Sequence, residues 1–223
     1  MNNLKLRLAK ERRFQLYGIL SITLALTLLS VLFISIFSQG YTAFQETKIQ
    51  LNINFEQNIL DPKKTSDWDV IKKSNFNILI RNSLQELFPD VSDRNEKRKL
   101  KKIISTSGEY QLRNYIRNNI ESIGTSKKIW LLADDDVDML IKGHINRTLP
   151  EEERRIDNTE LAWIEILETK KLIKKFFNKT FFTSGDSAES EQSGILGALI
   201  GSLFAIGITL IISFPIGIAT AIY

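Results

Sequence analysis

Apolar positions fall into three regimes along this chain. Two tracts without a charged side chain, Phe14–Gln45 and Gln192–Tyr223, bracket a segment in which apolar and charged residues mix at short range. In the first tract Leu16 to Phe37 is the most apolar part, and about 20 such residues cross a bilayer core as a helix, which satisfies its own backbone where water is absent. A transmembrane helix is therefore predicted over 16–38. The second tract, predicted as a helix over 194–223, has length to spare. Its 32 residues would reach roughly 48 Å as a helix against a core near 30 Å. Gly194 to Ala198 are expected at the outer interface and Leu199 to Ala219 as the span.

Between the tracts the period changes repeatedly. Ile49, Leu51, Ile53 and Phe55 alternate with Gln50, Asn52 and Asn54, which predicts a half-buried strand. Asp61-Pro62 breaks it, Ser66 or Asp67 is placed to cap, and Trp68 to Phe88 reads as one amphipathic helix ended by Pro89. A basic helix follows over Asp93–Ser105. Ser107-Gly108 interrupts it, and Leu112, Tyr115, Ile116 and Ile120 mark a partner helix expected to form a hairpin with it. Ile129-Trp130-Leu131-Leu132 has the size of a buried strand. Val137, Leu140 and Ile141 suit a helix stopped at Gly143, Pro150-Glu151-Glu152-Glu153 resembles a helix start, and Asn158 or Thr159 is placed to cap a helix running through Leu161, Leu167, Leu172, Phe176 and Phe177. The fold class predicted is an α-helical membrane protein with two transmembrane helices and an inserted, mainly helical α+β extracytoplasmic domain over 42–191.

Charge adds a topology. The chain carries 30 Lys plus Arg and 26 Asp plus Glu, but the tail over 1–15 holds Lys5, Arg7, Lys10, Arg12 and Arg13 against Glu11 alone, leaving 25 of each sign in the domain. The basic balance is thus a positive-inside signal placing the N-terminus in the cytoplasm of a multi-pass membrane protein. It is no nucleic-acid footprint. A cleavable signal peptide competes with an uncleaved anchor, yet Phe37-Ser38-Gln39-Gly40-Tyr41 offers no small-x-small site. With no cysteine, disulfides, thiol catalysis and thiolate metal sites are excluded.

Candidate chemistry is sparse. Asp134, Asp135, Asp136 and Asp138 lack the turn glycine and distant glutamate of a calcium loop and read better as a solvated helix N-terminus. His144, the one histidine, is expected at the surface, and Asn146-Arg147-Thr148 is a glycosylation match of a kind common by chance. No Walker loop or nucleophile elbow occurs, so neither an enzyme nor a cofactor is expected. Phe176, Phe177, Phe181 and Phe182 read either as an interfacial anchor, with Asn178 and Thr183 facing headgroups, or as core of a terminal helix. In the last tract Gly194, Gly197, Gly201, Gly207 and Gly217 form small-residue faces that admit another helix closely. Gly197 and Gly201 are the candidates for helix packing, and Pro215, which removes a backbone donor, for loosening the helix.

Phe181-Phe182-Thr183, Gly185-Asp186-Ser187, Gly194 through Leu203 and Phe214-Pro215-Ile216-Gly217-Ile218-Ala219-Thr220-Ala221-Ile222-Tyr223 carry a resemblance. Over these positions the chain resembles the permease subunit of the bacterial phosphate ABC transporter, of the PstA type, with an enlarged N-terminal region. The resemblance implies ATP-driven phosphate import, with a second permease subunit, a separate ATPase subunit, a periplasmic phosphate-binding protein and the lipid bilayer as partners. It also implies that the chain is an N-terminal portion of such a permease, with the phosphate-contact and coupling residues beyond Tyr223. A two-span sensor with a ligand-binding outer domain is the alternative. The outer domain itself reads either as a docking surface for the binding protein or partner permease, or as purely structural.

Overall fold

A computed structural model describes the backbone of residues 2–223 and the side chains of 11–223. The chain divides into two compact units, the first ending at Ala43 and the second running from Phe44 to Tyr223. The first unit is essentially one helix, α1 (Asn2–Gly40), whose side chains from Glu11 to Gly40 are all exposed. Of the cations read as topology signals, Arg12 and Arg13 are exposed on α1, while the side chains of Lys5, Arg7 and Lys10 lie outside the described residues.

In the second unit a three-stranded antiparallel sheet of order β2-β1-β3 carries the helices. β1 (Gln45–Asn54) sits centrally, with β2 (Ser126–Leu132) paired from Lys48↔Leu132 to Asn54↔Ser126 and β3 (Ile173–Phe177) paired from Gln45↔Phe177 to Ile49↔Ile173. Alternation along β1 explains the choice of face. Thr47, Ile49, Leu51 and Ile53 are buried, whereas Asn52 and Asn54 point to solvent.

Short helices α2 (Gln57–Leu60) and α3 (Trp68–Ile71) lead to α4 (Phe76–Leu87), which lies on β1 and buries Phe76, Leu79, Ile80 and Leu84. α5 (Arg94–Lys102) and α6 (Gly108–Asn118) both pack on α4, and α7 (Asp135–Lys142), α8 (Asn158–Thr169), α9 (Lys179–Thr183) and α10 (Leu196–Ile222) complete the unit. The core is continuous from Ile49, Leu51, Ile53 and Phe55 of the sheet side to Leu112 and Ile116 of α6 and Ile164 and Leu167 of α8. Each such side chain stabilises by about 1.5–3 kcal/mol when fully buried. Phe55 stacks on Tyr115 at 5.6 Å, and Phe88 meets Trp163 at 6.2 Å.

Four local differences from the sequence pattern have physical causes. The single helix expected over 68–88 breaks into α3 and α4, because Asp67 caps a first turn through the Asp69 N–H and Ser74 then donates to the Leu60 carbonyl. The expected hairpin of α5 and α6 is replaced by packing of both on α4. Gly108 makes that possible, since a Cβ there would lie 2.9 Å from Ile104 Cγ2 and 3.2 Å from Ile80 Cδ1. Pro150 to Glu153 forms only a 3₁₀ turn, Glu151–Glu153. Asp157, not Asn158 or Thr159, caps α8, in a capping box with Glu160.

The largest correction concerns Leu172 to Phe177. α8 ends at Thr169, Lys171 turns the chain with φ 57°, and Leu172 donates its N–H back to Leu167 while accepting from Gln50. Phe176 and Phe177 are therefore strand residues. The free edge of β1 supplies backbone partners for five residues, which outweighs a helical period that was already irregular after Leu167. Upstream, buried Asp61 shapes the loop that follows α2 by accepting from Thr65 N, Thr65 Oγ1 and Ser66 N at 3.0, 3.1 and 2.8 Å, holding Lys64 and Ser66 at positive φ.

Candidate functional site

The segment from β3 to α10 joins the folded domain to a helix long and apolar enough to cross a membrane. Aromatic rings gather at its start. Phe182 stacks on Phe44 at 5.8 Å and on Phe177 at 5.5 Å, and Phe181 meets Phe44 and Phe182 edge-on at 5.6 and 5.1 Å. On the neighbouring ladder Trp130 meets Phe176 at 5.1 Å, with Lys48 and Lys174 over the two rings. Phe177 and Phe182 nevertheless keep much of their surface exposed. Asn178 and Thr183 have local duties: Asn178 accepts the Phe181 N–H as the cap of α9, and Thr183 donates to the Lys179 carbonyl.

Residues 181–185 then receive the start of α10. Helices leave their first amides without internal partners. Here Gly194 N donates to Gly185 O at 2.8 Å, Ile195 N to Phe181 O at 2.8 Å and Leu196 N to Ser184 O at 3.1 Å. This approach requires glycine at 194, because a Cβ would collide with the Ser184 carbonyl oxygen. Just upstream the 3₁₀ turn Ser190–Gln192 is tied to the domain. Glu191 accepts from buried Ser105 Oγ at 2.5 Å, and Gln192 Nε2 donates to Thr106 Oγ1 at 3.2 Å. Ser105 is itself fixed, its N–H bonded to the Leu132 carbonyl at the end of β2.

Glu191 also brings its charge to the acidic start of α7. Oxygens of Asp134, Asp135 and Asp136 lie within 4.8 Å of one another. Each has a defined task, that of Asp135 being to accept the Asp136 N–H at 2.9 Å. Asp134 caps α7 through the Asp136 N–H, Asp136 pairs with Arg155 at 3.4 Å, and nearby Asp138 accepts from Thr47 N at 2.9 Å while pairing with Lys142 at 2.5 Å. Burial pushes the Asp134 carboxyl up to about 7, against the Asp136 N–H bond that favours the charged form; the Asp135 and Glu191 carboxylates add to the rise. The group is a helix N-terminus packed against the linker, able to exchange a proton near neutral pH.

Other sequence-marked residues lie apart from this junction. His144 is exposed, and Arg147 makes a bidentate pair with Glu168 at 2.7 and 2.8 Å. On α10 a Cβ at Gly197 would rest 3.7 Å from Gly185 Cα, and at Gly201 it would meet nothing within 4 Å. The helix runs on through Pro215, and none of its residues is buried. Glu191, Gln192, Ser105 and Thr106 carried no sequence signal, since they meet across 86 positions.

No curated protein and no solved structure matches the chain. A family profile matches residues 1–151, which take in α1, β1, β2 and the helices through α7 and end ahead of α8, β3 and α10. The chain belongs to the family described as Domain of unknown function (DUF3333).

Proposed function

We propose that the protein is a membrane-spanning permease component of an ATP-driven phosphate importer in the bacterial inner membrane. In this reading α1 is the first anchor, with its basic tail in the cytoplasm. The domain built on β1 faces the other side, and α10 is a core helix of the permease. The observation that carries the reading is the state of α10: its glycine-lined surface is open at Gly201, Gly207 and Gly217, while the amides of Gly194, Ile195 and Leu196 at its entry are bonded to the carbonyls of Gly185, Phe181 and Ser184. An apolar helix with small-residue faces is suited to close packing against other membrane helices. Phosphate as the cargo comes from the resemblance over Phe181 to Tyr223 alone. Partners on this reading are a second permease subunit, a separate ATPase subunit and a periplasmic phosphate-binding protein.

Uptake of labelled phosphate tests it. Cells carrying Gly201→Leu in the chromosomal gene are expected to accumulate the protein normally and to lose most phosphate uptake, with excess sulfate failing to compete in the parent strain. Unchanged uptake in a strain deleted for the gene under phosphate limitation would contradict the reading and return the two-span sensor to first place.

A further inference from the structure

Two faces of α5 carry opposite electrostatic arrangements. On one, Lys99 pairs with Asp157 at 2.5 Å, and burial raises the Glu160 carboxyl while the Asp157 N–H, Lys99 and Lys102 act against that rise. The other face presents Arg94, Lys97, Arg98 and Lys101 at positions i, i+3, i+4 and i+7, which align on one side of a helix. Arg81 of α4 faces them across a cavity of 510 Å³ that Ser92 also lines, and among the described residues no carboxylate contributes to the lining. A second cavity of 210 Å³ shares Arg81, Lys97 and Lys101 and extends the groove along α4 and α5. None of the five cations forms an ion pair among the described residues, although the domain as a whole has equal numbers of the two signs. Asp93, the cap of α5, is engaged by the Asn95 and Glu96 N–H groups at 2.7 and 3.2 Å.

Five like charges converging on one concavity repel one another, and an anion placed among them relieves every pair at once. Three of the five are arginines, whose planar forks match oxyanions two hydrogen bonds at a time. The volume falls in the range of small-molecule sites, roughly 300–1,000 Å³, and is large for a single tetrahedral anion. We propose that the groove between α4 and α5 binds a multivalent oxyanion of the diphosphoryl class, held by Arg81, Arg94, Lys97, Arg98 and Lys101. This site is independent of the transport reading, and its ligand need not be the cargo.

Isothermal titration of the full chain in phosphatidylcholine nanodiscs with inorganic pyrophosphate tests the proposal. Saturable one-site binding is expected, weaker for orthophosphate, and weakened about tenfold or more in the triple variant Arg94→Gln, Lys97→Gln, Arg98→Gln. The double variant Lys99→Gln, Lys102→Gln, on the paired face, is expected to retain it. Circular dichroism melting of each variant separates lost binding from lost folding, and Arg81→Gln on α4 reports on the groove without altering α5. Pyrophosphate affinity unchanged by phosphatidylglycerol in the nanodisc assigns the ligand to free anions, and competition by that lipid assigns the same site to phosphate-bearing headgroups. Absence of saturable binding, or equal loss in the two α5 variants, would overturn the proposal.

Discussion

The domain from Phe44 to Phe177 and helix α10 belong to one compact unit, yet they treat apolar side chains in opposite ways. In the domain Phe55, Phe76, Ile80 and Ile164 are completely enclosed, and the charged residues cover them. In α10, which contains no charged residue, Phe204 and Phe214 are each 68% exposed. Apolar content alone therefore does not decide burial within this chain. An element is buried when its neighbours supply a complementary face: α4 and α7 supply theirs to β1, and α5 and α6 supply theirs to α4. α10 is apolar on every side and would need a surrounding medium or other helices of the same kind.

The sharpest break between the two regions is expected in a pair of truncations. Phe55→Ala should destabilise the domain by about 3–5 kcal/mol, because it opens a cavity beside Tyr115. Phe204→Ala should change domain stability by less than about 0.5 kcal/mol, since no neighbour packs on it. Urea unfolding in detergent followed by tryptophan fluorescence separates them, as Trp68, Trp130 and Trp163 all lie in the domain. Comparable losses from the two variants would erase the distinction.

A smaller effect belongs to the seam. Gly194→Val places atoms against the Ser184 carbonyl and is expected to cost about 1–3 kcal/mol locally. Hydrogen exchange should show the Ile195 and Leu196 amides losing protection while those of β1 keep theirs. Gly201→Val, where a Cβ meets nothing within 4 Å, should leave both sets unchanged.

The smallest expected effect is a titration. Asp134 has its carboxyl raised from 3.8 to about 7 in the folded state, so protonation favours folding. Its contribution is fully present below about pH 4 and is lost as pH rises through about 7. Because Asp134 is only half-buried, solvent screening reduces the effect to about 1 kcal/mol. Asp134→Asn retains a capping side chain and should flatten that part of the pH dependence, making the variant the more stable protein at pH 8. Thermal melts across pH 4–8 measure this, and parallel curves for the two proteins would show that neither burial nor the Asp135 and Glu191 carboxylates raise this carboxyl.

Legibility in the sequence tracked the range of the interactions. The alternation of Ile49 to Phe55 revealed β1, and the αL stop at Gly143 and the basic helix before Ser107 were visible because their causes are local. Phe176 and Phe177 misled, because their strand exists only through β1, more than 120 residues earlier. The junction was half legible. Glycines and phenylalanines marked the segment, but nothing local joins Glu191 to Ser105 or shows that Gly194 is the position where backbone meets backbone. The cationic groove was visible as a run of lysines and arginines, and only the placement of α8 distinguished its unpaired face from its paired one.

Absence of cysteine makes the placement of the domain across the membrane directly measurable. Single cysteines at Asn3 and at Lys63, in the exposed turn after α2, can be challenged with a membrane-impermeant maleimide in cells with a permeabilised outer membrane. The proposed topology requires Lys63→Cys to label in these cells before lysis and Asn3→Cys to label only after lysis. Labelling of Lys63→Cys only after lysis would put the domain in the cytoplasm and contradict the account.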